Sequence, residues 1–194
     1  MKKNLTYKIL KFFSDLFSQI IKDKRQFLVY SLLSLVLLFF MTRYKPIFIT
    51  LILILLGGFS MLYIRFFNFS HYIGFELCTM ATVLTALAYG PIFSFMTGFV
   101  SITLGFIISG YFKPTYFISI LTMPLLGLLI PIFSHLPLWQ IGLIFTVLYD
   151  LIILPLYVIM GSRIHSTVIF FITHIILNLW IFTTIAPVIY RVIN

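Results

Sequence analysis

PIFSFMTGFVSITLGFIIS, residues 91–109, carries no charge over a length that fits the hydrocarbon core of a bilayer, which takes roughly 20 helical residues to cross. Pro91 opens the stretch, where a helix has no use for the missing N–H, and Gly110 follows its end. Thr97, Ser101, Gly105 and Ser109 recur at every fourth position, which gives one helix face small side chains that let another backbone approach closely. The length predicts a membrane-crossing helix, and the stripe predicts a packed one.

The same punctuation by Gly, Pro and charge divides the rest of the chain. Further apolar segments of spanning length fall at about 46–67, 71–89, 115–134, 138–160 and 166–190, with breaks at Gly110–Pro114 and Pro131–Pro137. None alternates apolar and polar residues, so a β-barrel is excluded. Composition agrees: 62% hydrophobic and 9% charged residues, with a mean hydropathy of +1.17, leave too little polar surface for a water-soluble domain of 194 residues. The expected fold is an all-α polytopic membrane bundle with a six-helix core over 46–194. Before it, residues 1–45 read as a basic amphipathic helix over 4–26 and a short hydrophobic segment over 27–42, giving six or seven spans.

Seven of the 13 Lys and Arg precede residue 26, and the net charge is +9. In so apolar a chain this charge reads as attraction to anionic lipid and as a topology signal, not as a nucleic-acid surface. Leu28–Met41 runs into Thr42-Arg43-Tyr44-Lys45 with no small-residue cleavage site, so a removable leader is not expected. Whether 27–42 crosses or not, ten Lys and Arg fall on the N-terminal side of the membrane and three on the other. The expected location is therefore the cell membrane with a cytoplasmic N-terminus, while the number of spans stays open. The single cysteine, Cys78, excludes an internal disulfide.

Polar groups at membrane depth are costly and so carry information. Asp150 sits mid-way along 138–160, next to Tyr149, with Pro155 five residues on to free the Leu151 carbonyl. His174 and Asn178, four apart, share a face of the last segment. Asp150 meeting His174 or Asn178 satisfies these groups, either as a register-fixing cluster or as the lining of a binding cavity. Glu76 stands nearer the start of its segment, where a helix dipole favours an acid. The candidate substrate-binding residues are thus Glu76, Tyr149, Asp150, His174 and Asn178.

Catalytic patterns are missing: there is no His-Glu-x-x-His, no Gly-x-Ser-x-Gly, no phosphate-binding glycine loop and no pair of aspartates on neighbouring spans. His71, His135 and His165 are scattered among breaks, so no metal or other cofactor is expected, and the chain reads as a non-enzyme. Without a nucleotide site of its own, active transport requires a partner or an ion gradient.

The stretch from Ile73-Gly74-Phe75-Glu76-Leu77 through Ala81-Thr82-Val83-Leu84, Ala88-Tyr89-Gly90-Pro91, Gly98-Phe99 and Gly105 to Gly110 resembles the substrate-binding S component of energy-coupling-factor transporters, or the related family that includes bacterial cell-shape membrane proteins. The resemblance implies a six-helix subunit that binds a vitamin- or metal-type solute. It also implies docking, through small residues, on a transmembrane coupling protein that carries two ATPases. Two features depart from it. A basic helix and a short hydrophobic segment precede the core, and the first core helix offers only Gly57-Gly58 in place of an alanine-spaced docking motif. Two functions follow from these readings. The first is a solute-binding transporter subunit energised by a partner. The alternative is a structural or assembly protein that scaffolds other membrane subunits through its small-residue faces.

Overall fold

The computed structural model describes residue 11 and residues 24–67, 72–110 and 112–194. The expected amphipathic helix over 4–26 falls largely outside them. The chain divides into two compact units, Met1–Lys45 and Pro46–Asn194. In the first, α1 runs Lys24–Arg43, and its apolar stretch, Gln26–Phe40, is shorter than a span.

Every regular element among the described residues of the second unit is a helix, and no strand occurs among them. Its elements are α2 (Lys45–Ser60, tightening into a 3₁₀ turn at Met61–Arg65), α3 (Cys78–Tyr89), α4 (Pro91–Ser109), α5 (Tyr116–Leu129, ending in a 3₁₀ turn at Ile130–Phe133) and α6 (Leu138–Ile159). The last helical run joins α7 (Ile164–Trp180) to α8 (Ala186–Ile193) through a π turn at Ile181–Ile185. Five of these runs are long and apolar enough to cross a membrane: Lys45–Arg65, Pro91–Ser109, Tyr116–Phe133, Leu138–Ile159 and Ile164–Ile193.

The sixth expected segment, 71–89, is corrected in its first half. Of its described residues only Cys78–Tyr89 are α-helical, and residues 73–76 adopt no regular secondary structure. Non-helical backbone at membrane depth must be satisfied by protein. Here the Tyr63 hydroxyl donates to Ile73 O (2.5 Å), Gly74 N–H donates to Thr173 Oγ1 (3.0 Å), Thr173 Oγ1 donates to Tyr72 O (2.8 Å) and Leu77 N–H donates to Ser60 Oγ (2.9 Å). The half-length helix α3 is the most enclosed element, buried from Cys78 to Ala86.

The small-residue stripe is used inside the unit. Thr97, Ser101, Gly105 and Ser109 are all buried. A Cβ on Gly105 would meet Met61, one on Gly98 would come 3.2 Å from Pro124 Cα, and one on Gly57 would come 3.0 Å from Ser101 Cβ. Both Gly57-Gly58 and the α4 stripe are therefore internal packing surfaces, which removes them as free docking faces. Gly90, at φ +92° and ψ −178°, makes the sharp step from α3 to α4, a backbone region open essentially only to glycine.

Because the helices alternate in direction, α2, α4 and α6 end where α3, α5 and α7 begin. Arg65, Lys113 and Arg163 mark that end of the bundle. The other end carries the α3–α4 step and the C-terminus, joined where Tyr89 donates to Ile193 O (3.2 Å).

Candidate functional site

The three acids and imidazoles buried among the described residues, Glu76, Asp150 and His174, meet at one place. His174 Nδ1 lies 2.9 Å from each oxygen of Asp150, and its Nε2 lies 3.3 Å from Glu76 Oε1. Asp150 and His174 are fully buried, and Glu76 nearly so. Helices α6 and α7 supply the first two through their antiparallel packing. Glu76 arrives on the non-helical segment ahead of α3.

Gly74 permits that arrival. A Cβ there would stand 2.6 Å from His174 Cα and 2.8 Å from its N, so only a glycine lets the segment lie on the α7 backbone. Two residues later, Glu76 turns back to the start of α3. Both its oxygens accept the Thr79 N–H at 3.0 Å, and the Thr79 hydroxyl also donates to Oε1. The carboxylate thus caps a helix with free N–H groups and a favourable dipole, while its other side faces His174. Glu76 was expected inside a helix. It precedes one, because the helix begins at Cys78.

The imidazole is held from every side. Phe170 stacks on it with ring centres 5.2 Å apart, and Tyr149 packs edge-on at 6.2 Å. Proton bookkeeping then limits the states of the cluster. With both carboxylates ionised, a neutral ring would set a bare nitrogen against a carboxylate oxygen. Both contacts are hydrogen bonds if the ring is an imidazolium between two carboxylates, or if it is neutral and Glu76 holds the proton. Each of these leaves one net negative charge, and an imidazolium with Glu76 protonated on its other oxygen leaves none. Among the described residues, no Lys or Arg forms an ion pair with either acid.

A cavity of about 760 Å³ reaches this cluster from the end of the bundle marked by Lys113 and Arg163. Glu76, Tyr149 and His174 border it. Asp150 and Asn178 do not. Asp150 stands behind the imidazole, and Asn178 donates to His174 O within its own helix (3.1 Å), its Oδ1 without a hydrogen-bond partner. The expected meeting of Asp150 with His174 occurs, and Asn178 takes no side-chain part in it. His71 lies outside the described residues. The two carboxylates sit on opposite edges of the ring and do not converge on one point, as ligands of a single metal ion must.

The remaining wall is aromatic. Phe106 and Tyr116 stack at 4.1 Å, Tyr157 lies 6.2 Å from Tyr116, and Tyr63 meets Phe75 edge-on at 6.0 Å. Ser119 Oγ and the Tyr157 hydroxyl share a hydrogen bond of 2.7 Å. None of these residues stood out in the sequence, where aromatics in apolar segments also suit lipid. The available signal was the four-residue spacing of Tyr149, Ile153 and Tyr157, which places all three on one face of α6. Cys78 is fully buried against the α2 glycines and takes no part in the cavity.

Comparison of the chain with protein families, characterised proteins and solved structures finds no match.

Proposed function

We propose that the chain is a solute-binding membrane subunit of a transporter, one that takes a small molecule into the bundle and depends on a partner for energy. The observation that carries this reading is the cavity itself. It is of the size that encloses a small-molecule ligand, apolar and aromatic along its length, and it ends on a few fixed polar groups. The resemblance to S components supports the same reading, since it implies a solute subunit with coupling and ATPase partners. In this view α2 to α8 form a six-helix membrane core that includes the short α3, with the non-helical segment before it as part of the cavity wall. The N-terminus lies in the cytoplasm of a cell-membrane protein, and α1 rests at the interface, so the cavity mouth faces outward.

The scaffold alternative loses its main support, because the small-residue faces proposed as docking surfaces are filled by neighbouring helices of the same unit. The test is retention. Protein purified in mild detergent should carry a small molecule that is released on unfolding, and adding that molecule back should raise the melting temperature. Empty protein that gains no stability across a broad panel of small solutes would remove the proposal.

A further inference from the structure

The cavity has two unlike ends. At its floor the Glu76–His174–Asp150 cluster sets two carboxyl groups against a single imidazole, with no Lys or Arg paired to it among the described residues. Two acids against one base leave an acidic excess that a buried site must neutralise by a proton or by a bound cation, and Glu76 borders the cavity. At the rim stand Lys113, on the turn before α5, and Arg163, immediately before α7. Neither has an ion-pair partner among the described residues. Arg163 and His174 are eleven positions apart along one chain, which sets the two ends about 16 Å apart along the helix direction. Between them the wall is made of aromatic faces and edges.

We infer that the occupant is a dipolar solute with a flat aromatic or heteroaromatic body. Its inner end is a cationic or amidine-like N–H group on Glu76, and its outer end is an anion, carboxylate or phosphate, between Lys113 and Arg163. The inference rests on the cavity being a solute site and adds the chemical class of the solute. The inner group donates a charge-assisted hydrogen bond to a carboxylate that Thr79 already holds in place. The rings of Tyr116, Tyr149 and Tyr157 receive a planar body better than a branched aliphatic one. Arg163 and Lys113 supply donors suited to an oxyanion, and the free N–H groups at the start of α7 add to them.

The test uses the whole chain in lipid nanodiscs and four probes on one rigid aryl frame: amidinobiphenyl carboxylate, the amidine without the acid, the acid without the amidine, and the neutral carboxamide. The expected result is that the doubly charged probe binds at least tenfold more tightly than any other in calorimetry. Glu76→Gln should erase its advantage over the acid alone. Lys113→Gln with Arg163→Gln, at exposed positions that leave the fold intact, should erase its advantage over the amidine alone. Equal binding of the neutral probe, or a co-purifying solute or lipid without this charge pattern, would overturn the inference and leave a solute site of another class. Failure of all four probes, in protein that also carries no small molecule, would overturn the site reading along with it.

Discussion

His174 links two acids that lie far apart in the sequence: its Nδ1 lies 2.9 Å from Asp150 and its Nε2 3.3 Å from Glu76. Only Glu76 and the ring border the cavity. On the proposed function the acids differ in role, Glu76 placed to touch an occupant and Asp150 to position the imidazole. Asp150→Asn keeps an acceptor for Nδ1–H, so we expect a stability loss of about 1–2 kcal/mol and an affinity loss below tenfold. Glu76→Gln should remove binding of a cationic group. Parallel calorimetric titrations of the two variants check the split, and equal losses would refute it.

Removing the imidazole is a harsher change. His174→Ala leaves two buried carboxylates facing an empty space, and breaking a buried ionic cluster from one side costs about 3–5 kcal/mol. Chemical unfolding in bilayer-like micelles should show that loss. The double change of Asp150→Asn with His174→Ala should restore part of it, since one unpaired charge disappears.

Gly74 is the hinge between fold and site. Gly74→Ala sets a methyl group into the α7 backbone at His174, so the 72–77 segment must lift away from Thr173. We expect about 2–3 kcal/mol of destabilisation, in the upper range for overpacking, together with loss of ligand retention. Gly90→Ala makes the contrast: no atom lies within 4 Å of its added Cβ, but the backbone at φ +92° is strained. It should cost about 1–3 kcal/mol and leave affinity unchanged. Thermal unfolding with and without bound solute separates the two effects.

Gly105→Leu distinguishes internal packing from docking. Its side chain would collide with Met61 on the turn after α2. The expected outcome is a lower melting temperature of the isolated chain by several degrees. A variant as stable as the wild type that has lost a co-purifying subunit would instead restore the scaffold reading.

The spans were legible because hydrophobic length and Gly/Pro breaks act locally: Pro91–Ser109 and Leu138–Ile159 stand within a residue of where the sequence puts them. The Asp150–His174 contact was legible for another reason, since two polar groups at membrane depth must find each other. Glu76 was misplaced in its element because residues 71–77 are as apolar as a helix. What breaks the helix there is tertiary: hydrogen bonds with Tyr63, Ser60 and Thr173 satisfy the non-helical backbone. The aromatic wall was illegible for a similar reason. Tyr116 and Tyr157 differ from lipid-facing aromatics only in what the fold packs beside them.

The most direct measurement of the central claim is the small-molecule content of the purified chain, read by mass spectrometry after unfolding, for wild type and Glu76→Gln side by side. The account predicts a stoichiometric solute in the wild type and its loss from a Glu76→Gln protein that remains folded. A wild type with no bound solute, or a folded Glu76→Gln protein that retains the same solute at the same level, would contradict it.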